Sequence, residues 1–163
     1  LKPGAKKKSP QPDEQNRPEV KQARQEYRAR AADWVVRKLK FLDETGTLLN
    51  MTRRYGRAEP GERVVESIPS DYGSNHTLIA TLSLDGIQAP WVFEGALNGD
   101  IFKLYLEEVL GPTLQPGEIL LMDNLSSHKV AGVEELVAAR GARLECLSTY
   151  SPDYNPIERC WSK

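Results

Sequence analysis

The chain has 163 residues and a formal net charge of −1, with 39% hydrophobic and 28% charged residues. That length suits one domain with a buried core, and the composition excludes disordered and fibrous proteins. No apolar run approaches the roughly 18 residues that span a bilayer, and no leader peptide opens the sequence. The two cysteines form neither a metal pair nor a disulfide framework, so we expect a reducing, cytoplasmic setting and no membrane partner.

The charge is distributed unevenly along the chain. Residues 1–40 hold 12 Lys or Arg and 5 Asp or Glu, whereas residues 41–163 hold 10 basic and 18 acidic residues. A basic arm joined to an acidic body indicates a polyanionic partner, but a solvated tail on an ordinary acidic domain has the same pattern. Charge alone leaves both interpretations open.

The basic arm divides into two parts. Residues 1–12 are rich in Lys and Pro with little to bury, which predicts a disordered tail. Residues 13–36 predict a helical arm, because this stretch is rich in Arg, Gln, Glu and Ala. Its apolar positions are sparse, so we expect the helix to lie on a surface or to link domains.

From residue 37 onward the signals for strands and helices alternate. Apolar runs and turn residues predict strands, helical spacing of apolar residues predicts helices, and a polar stretch predicts an exposed loop. The predicted elements are a strand at 39–42 with a hairpin partner at 48–52, a loop at 53–76, strands at 77–84 and 89–93, a helix at 100–110, a strand at 119–122, a helix at about 129–140, a strand at 143–147 and a last helix opened by Asn155 and Pro156. This order predicts an α/β fold with a mixed sheet flanked by helices.

Three acidic residues stand at the ends of predicted elements. Asp43 follows the strand at 39–42, Asp123 follows the strand at 119–122, and Glu158 lies in the first turn of the last helix. The carboxyl ends of buried strands are where open α/β sheets place their sites. If the two strands are neighbours, roughly 4.8 Å apart, their carboxylates repel unless a divalent cation lies between them.

Each acid also has a purely structural interpretation. Asp43 and Asp123 can simply be polar residues where strands end. Asn155 and Glu158 fit a capping box, in which the Glu at the third helical position reaches back to the cap. The residue types alone leave these alternatives open.

The segments around the three acids carry sequence motifs. They read Phe-Leu-Asp-Glu-Thr-Gly at 41–46, Leu-Met-Asp-Asn-Leu-Ser-Ser-His-Lys at 121–129 and Tyr-Ser-Pro-Asp-Tyr-Asn-Pro-Ile-Glu at 150–158, and 34 residues separate Asp123 from Glu158. The chain closely resembles transposases of the mariner superfamily, in particular the bacterial insertion-sequence branch. The resemblance runs from about residue 15 to residue 163, and the 34-residue gap is characteristic of that superfamily.

The resemblance implies a fold, an activity and a metal centre. The fold is ribonuclease-H-like, and Asp43, Asp123 and Glu158 would bind two Mg²⁺ or Mn²⁺ ions and act as the catalytic residues. The activity is cut-and-paste DNA transposition at TA targets, with strand cleavage by water and strand transfer by a DNA 3′-hydroxyl. The partners would be transposon ends and target DNA, bound by a homodimer in a synaptic complex near the bacterial nucleoid.

The sequence departs from the family pattern in two respects. Ser148 and Thr149 stand where the family usually has two prolines before the third motif. No helix-turn-helix module precedes the catalytic motifs, and the family's segment after residue 163 is missing. We therefore expect residues 37–163 to form a catalytic core that is truncated at its C-terminal side.

Five further residues are candidates for a supporting role. Asn124 could orient a metal-bound group or form a turn, and His128 could contact a phosphate or belong to a helix cap. Asn155 suits a helix cap better than a DNA contact. Arg53 and Arg54 lie in a polar loop together with Arg57 and Arg63, where phosphate binding and simple solvation are both consistent with the sequence.

Two other functions remain as alternatives. The run from Asp43 to Thr47 resembles the aspartyl-phosphate motif of haloacid-dehalogenase-type phosphatases, although Asp123 and Lys129 match the remaining motifs of those enzymes poorly. The chain could also be a decayed or co-opted transposase fragment that binds DNA without cutting it.

Overall fold

The computed structural model describes residues 13–48, 55–67, 74–124 and 131–161. Its five strands are β1 (Leu39–Leu48), β2 (Asn75–Ser83), β3 (Gly86–Glu94), β4 (Ile119–Met122) and β5 (Arg143–Cys146). They form one sheet in the order β3-β2-β1-β4-β5. The first three strands are antiparallel neighbours, and β4 and β5 run parallel to β1, so the predicted mixed sheet is confirmed.

Within the described ranges, four α-helices accompany the sheet. They are α1 (Pro18–Ala31), α2 (Gly99–Tyr105), α3 (Val133–Ala138) and α4 (Glu158–Trp161). Asn98 caps α2, since its Oδ1 accepts a hydrogen bond of 2.9 Å from the backbone N–H of Ile101. A π-helical turn over Leu106–Leu110 continues α2 and ends in a 3₁₀ turn at Gly111–Thr113, where the glycine and proline stop the predicted helix.

The sheet buries different side chains on its two faces because neighbouring residues of a strand point in opposite directions. On one face, Leu42, Leu120 and Met122 pack against α2, the π-helical turn and α3. On the other face, Ile119 and Leu121 pack against Tyr27 of α1, with Phe41 and Leu39 beside them. The sheet is therefore the middle of three layers.

The helix α1 lies on the second of these faces. Its Tyr27 is buried, meets Trp34 edge-on with ring centroids 5.6 Å apart, and stacks on Tyr154 at 5.3 Å. The predicted arm is thus helical, and it packs on the sheet, which its few apolar residues did not indicate. The division of the chain at residue 37 remains a prediction.

One predicted feature differs from the structure, and another lies outside the described residues. The hairpin between the first strand and residues 48–52 is wrong, because β1 continues through Gly46 to Leu48 and its antiparallel partner is β2. The predicted tail at 1–12, like residues 49–52, lies outside the described residues. Among the described residues, no helix is both long enough and apolar enough to cross a membrane.

Candidate active site

The sheet register places Asp43 and Asp123 next to each other. The parallel ladder between β1 and β4 pairs Leu39 with Ile119 and ends at the pair Phe41 and Leu121. Asp43 and Asp123 each stand two residues beyond this last pair, and so on the same face of the sheet. Neighbouring strands are about 4.8 Å apart, so Asp43 and Asp123 occupy adjacent backbone positions where the ladder ends.

Asp43 lies within its strand, whereas the sequence predicted a position after the strand's end. The antiparallel pairing of β1 with β2 runs from Phe41 to Leu48 and places Asp43 opposite Ala80. That pairing extends β1 beyond the point where β4 ends. Only 8% of Asp43 is exposed, so the strand holds its carboxylate at the edge of the core.

The short helix α4 carries the third acid. Glu158 is its first residue, in agreement with the prediction of a first-turn position. Ile157, just before the helix, is fully buried and anchors this end of the chain in the core. The negative charge of Glu158 acts on Asp43, and that of Asp123 acts on Glu158. Glu158 is therefore electrostatically linked to both aspartates.

Burial and mutual repulsion disfavour the ionised carboxylates. Burial raises the pKa of Asp43 to about 6; the hydrogen bond from Trp161 opposes the rise, and the charges of Glu158 and Glu44 add to it. The pKa of Glu158 is also raised, first by burial and then by Asp123 and Glu44. Such crowding of acids is typical of a site that a cation completes.

Trp161 contributes a contact that the sequence did not reveal. Its indole Nε1–H donates a hydrogen bond of 2.9 Å to Oδ2 of Asp43. Trp161 and Glu158 are three residues apart on α4, and residues at this spacing share a helix face. The bond thus fastens α4 to β1 with Glu158 on the same side. No local signal in the sequence indicates this contact, because it joins residues that are 118 positions apart.

Asn155 connects α4 to β1 in a second way, and the predicted capping box is wrong. Its side-chain Nδ2 donates to the carbonyl oxygen of Leu42 at 3.4 Å, so the side chain points to β1. Its Oδ1 is buried and has no hydrogen-bond partner among the described residues. A buried amide oxygen without a partner costs free energy, which indicates that a ligand or water normally meets it.

A cavity of about 310 Å³ opens beside the acids. Asp123, Asn124 and Glu158 line it, together with Asn155 and residues 147–152, and Asp43 lies outside this lining. Ser148 also lines the cavity, and its Oγ has no hydrogen-bond partner within the described ranges. The cavity therefore offers carboxylates and unsatisfied polar atoms to whatever occupies it.

The donor chemistry of the acids fits magnesium or manganese. Carboxylate oxygens are the ligands that these hard cations prefer, and Mg²⁺ is usually held by one or two carboxylates plus waters and phosphate oxygens. Within the part of the chain that the structure describes, no three His, Cys, Asp or Glu side chains come close enough to hold one ion together. The carboxylates are thus gathered at one place but not closed around a single point.

The other predicted site residues have different outcomes. Asn124 is exposed at the mouth of the cavity, next to Asp123. His128, Arg53 and Arg54 lie outside the described residues, so their roles remain predictions. Glu44 is on the alternate face of β1 and half-buried, and its charge acts on both Asp43 and Glu158.

A second, larger cavity of about 650 Å³ lies at the opposite end of the parallel strands. Gly117, Glu118 and Ile119 line it before and at the start of β4, and Ala142 and Arg143 line it at the start of β5. Open α/β sheets place their sites at the carboxyl ends of the strands, and this cavity is at the amino ends. The acidic cavity is therefore the candidate active site.

The sequence of the core matches a known family over most of its length. Residues 38–163 match the family described as DDE superfamily endonuclease. The chain belongs to this family. This membership agrees with the predicted resemblance to transposases, whereas the mariner superfamily, its bacterial insertion-sequence branch and the significance of the 34-residue gap remain predictions. No curated protein matches the chain in sequence.

Solved structures of a mariner transposase share this fold. The Mos1 paired-end complex with Mg is 17% identical over 99% of this chain and 52% of that chain, with a TM-score of 0.70. The Mos1 strand transfer complex is 18% identical over 97% of this chain and 50% of that chain, also at 0.70. The isolated Mos1 catalytic domain is 15% identical over 86% of this chain and 65% of that chain, at 0.59.

These similarities show the fold. The five-stranded mixed sheet with flanking helices is the ribonuclease-H-like architecture that the sequence predicted. The chain spans about half the length of the full Mos1 chains that it matches. One further Mos1 paired-end complex of the same fold is with Mn, and another is with the left transposon end.

Proposed function

We propose that this chain is the catalytic domain of a DNA transposase, in which Asp43, Asp123 and Glu158 hold two Mg²⁺ or Mn²⁺ ions. Asp43 and Asp123 stand at matching positions, two residues beyond the last β1–β4 pair, and Glu158 is linked electrostatically to both. This arrangement is the observation that carries the proposal. Membership in the DDE endonuclease family and the fold shared with Mos1 transposase support it.

The roles of the residues follow from their positions. When bound, two divalent ions activate the attacking oxygen of a phosphodiester reaction and stabilise the leaving oxygen. Asp43, Asp123 and Glu158 would supply the negative charge that holds the ions, and the hydrogen bond from Trp161 fixes Oδ2 of Asp43 in place. The buried Oδ1 of Asn155, which has no partner among the described residues, would accept a hydrogen bond from a group bound in the cavity.

The proposed reaction has two steps that share these groups. Water attacks a phosphodiester during strand cleavage, and a DNA 3′-hydroxyl attacks during strand transfer. In both, the attacking oxygen forms the new P–O bond while the leaving oxygen departs from phosphorus. We also propose transposon ends and TA-containing target DNA as partners, a homodimer in the synaptic complex, and the bacterial cytoplasm at the nucleoid as the place of action.

Metal-dependent nicking and strand transfer on a supercoiled plasmid test the proposal, with Asp123→Asn as the matched variant. The parent chain should nick the plasmid in Mg²⁺ or Mn²⁺ and not in EDTA. Losing one carboxylate that stabilises the transition state by several kcal/mol should lower the rate by about 1000-fold. Equal activity in parent and variant would remove the catalytic assignment.

A second candidate function is DNA binding without cleavage. The observation that favours it is the incomplete convergence of the acids among the described residues. It predicts DNA binding by the parent chain with no nicking under any metal condition. A phosphatase that uses Asp43 as nucleophile would instead trap a phospho-aspartate, which the transposase proposal excludes.

A further inference from the structure

Four basic residues form a stripe along α1. They are Arg17, Lys21, Arg24 and Arg28, spaced by four, three and four residues. At 3.6 residues per turn, these positions fall within about 60° of one another around the helix axis and extend for about 16 Å along it. We call this set the basic stripe.

The acidic residues of α1 stand on the other side of the helix. Glu19 and Glu26 lie about 170° from the centre of the basic stripe by the same geometry. The buried residues Val20 and Tyr27 occupy a third sector, which faces the sheet. Within α1 both acidic residues thus lie opposite the basic stripe, and Arg30 is the one basic residue of the helix that lies on their side.

The basic stripe borders a shallow cavity of about 270 Å³. Its lining consists of Gln15, Lys21, Arg24, Gln25 and Arg28. All five side chains carry hydrogen-bond donors, and none is acidic. A surface of this composition suits phosphate oxygens, which accept hydrogen bonds and carry negative charge.

Arg24 fixes the basic stripe beside the candidate active site. Its guanidinium donates two hydrogen bonds to Asp153, at 2.9 and 2.6 Å, and a third of 2.6 Å to Oγ of Ser151. The same guanidinium lies 4.2 Å from the ring centroid of Tyr154. Ahead of α1, Gln15 donates to the carbonyl oxygen of Tyr150 at 2.7 Å.

The segment that Arg24 holds is also a wall of the acidic cavity. Tyr150, Ser151 and Pro152 line that cavity together with Asp123 and Glu158. The basic stripe and the acids are therefore on either side of one short segment. A polyanion lying along the stripe would reach the acids across that segment.

We infer that the basic stripe binds the sugar–phosphate backbone of duplex DNA and leads the strand to Asp123 and Glu158. This inference rests on the proposed function and adds to it the surface on which the DNA lies. Lys21 and Arg28 are exposed and supply the contacts, whereas Arg24 serves as the anchor. Contacts to phosphates alone bind DNA without sequence preference and with strong salt dependence.

The test compares two double variants that lose the same charge. Lys21→Ala with Arg28→Ala removes two positions of the stripe, and Arg30→Ala with Arg37→Ala removes two exposed basic residues outside it. Binding of a fluorescent duplex of arbitrary sequence is measured in EDTA from 50 to 300 mM KCl. The stripe variant should bind at least about tenfold more weakly at 0.1 M salt, with a salt slope reduced by about 1.8, while the control stays near the parent.

A charge-preserving variant guards against misfolding as the cause. Lys21→Arg with Arg28→Lys should bind like the parent chain. Equal binding by the two double alanine variants, or no measurable binding by the parent, would overturn the inference. If the parent chain binds DNA through the stripe but never nicks it in Mg²⁺, the proposed function alone is overturned. If the stripe variant binds and nicks DNA as well as the parent chain, this inference alone is overturned.

Discussion

Replacing Trp161 by Phe removes one hydrogen bond from Asp43 and keeps an aromatic ring in its place. The lost bond joins Nε1 of Trp161 to Oδ2 of Asp43 at 2.9 Å and stabilises the ionised carboxylate. A hydrogen bond to a charged group contributes about 1.5–3 kcal/mol, which corresponds to about one to two pKa units. The pKa of Asp43 should therefore rise from about 6 in the parent to about 7 or 8 in the variant.

Carboxyl-carbon NMR of the metal-free protein measures this pKa directly. At pH 7 the ionised fraction of Asp43 should fall from about 90% in the parent to half or less in the variant. The acid limb of the pH–rate profile for nicking should move to higher pH by a similar amount. Trp34→Phe is the matched control, because Trp34 contacts Tyr27 on α1. An unchanged Asp43 pKa in the Trp161 variant, or an equal change in the control, would refute this reasoning.

Two more predictions concern stability. The pKa of Asp43 is about 6 in the fold and 3.8 unperturbed. The stability that the Asp43 carboxyl contributes is therefore fully present below pH 3.8 and is lost as the pH rises through about 6. In EDTA at pH 7.5, urea unfolding should thus show Asp43→Asn to be more stable than the parent by about 2–3 kcal/mol, and this difference should vanish near pH 3. Equal stability of variant and parent at pH 7.5 would contradict the prediction. Arg24→Ala should lower the free energy of unfolding by about 1–2 kcal/mol, because the variant loses the bonds to Asp153 and Ser151. The loss is modest because Asp153 is partly exposed, and solvent weakens the ion pair. Arg30→Ala on the same helix should cost less than about 0.5 kcal/mol, and equal losses in the two variants would show that the Arg24 contacts do not stabilise the fold.

The strand β4 was the clearest element to predict. Ile119 to Met122 form a continuous apolar run, and the structure places β4 at the same four residues with all of them buried. Such a run is typical of a parallel strand covered on both faces. The position of Asp123 just beyond β4 followed from the same pattern.

The second half of β1 was not predictable from local pattern. Its residues from Glu44 to Thr47 are polar or small and increasingly exposed, which is typical of a turn. They form a strand because β2, more than 25 residues later in the chain, pairs with them. Tertiary pairing of this kind overrides local propensity.

The contacts that organise the site are also long-range. Tyr27 stacks on Tyr154, Arg24 binds Asp153, and Trp161 donates to Asp43, each across more than 100 residues of sequence. Each of the three acids stands in a short continuous motif, so the sequence alone was enough to name them as candidate site residues. Which neighbours hold them in place depends on how the layers pack, and a single sequence carries no local signal for that.

The central claim, that Asp43, Asp123 and Glu158 hold divalent ions, is tested most directly by counting bound Mn²⁺. Electron paramagnetic resonance titration of the chain with duplex DNA at pH 7.5 measures both the number of ions and their affinity. We expect two ions per parent chain, and at least tenfold weaker binding of one or both in Asp43→Asn, Asp123→Asn and Glu158→Gln. Unchanged number and affinity in all three variants would contradict the account.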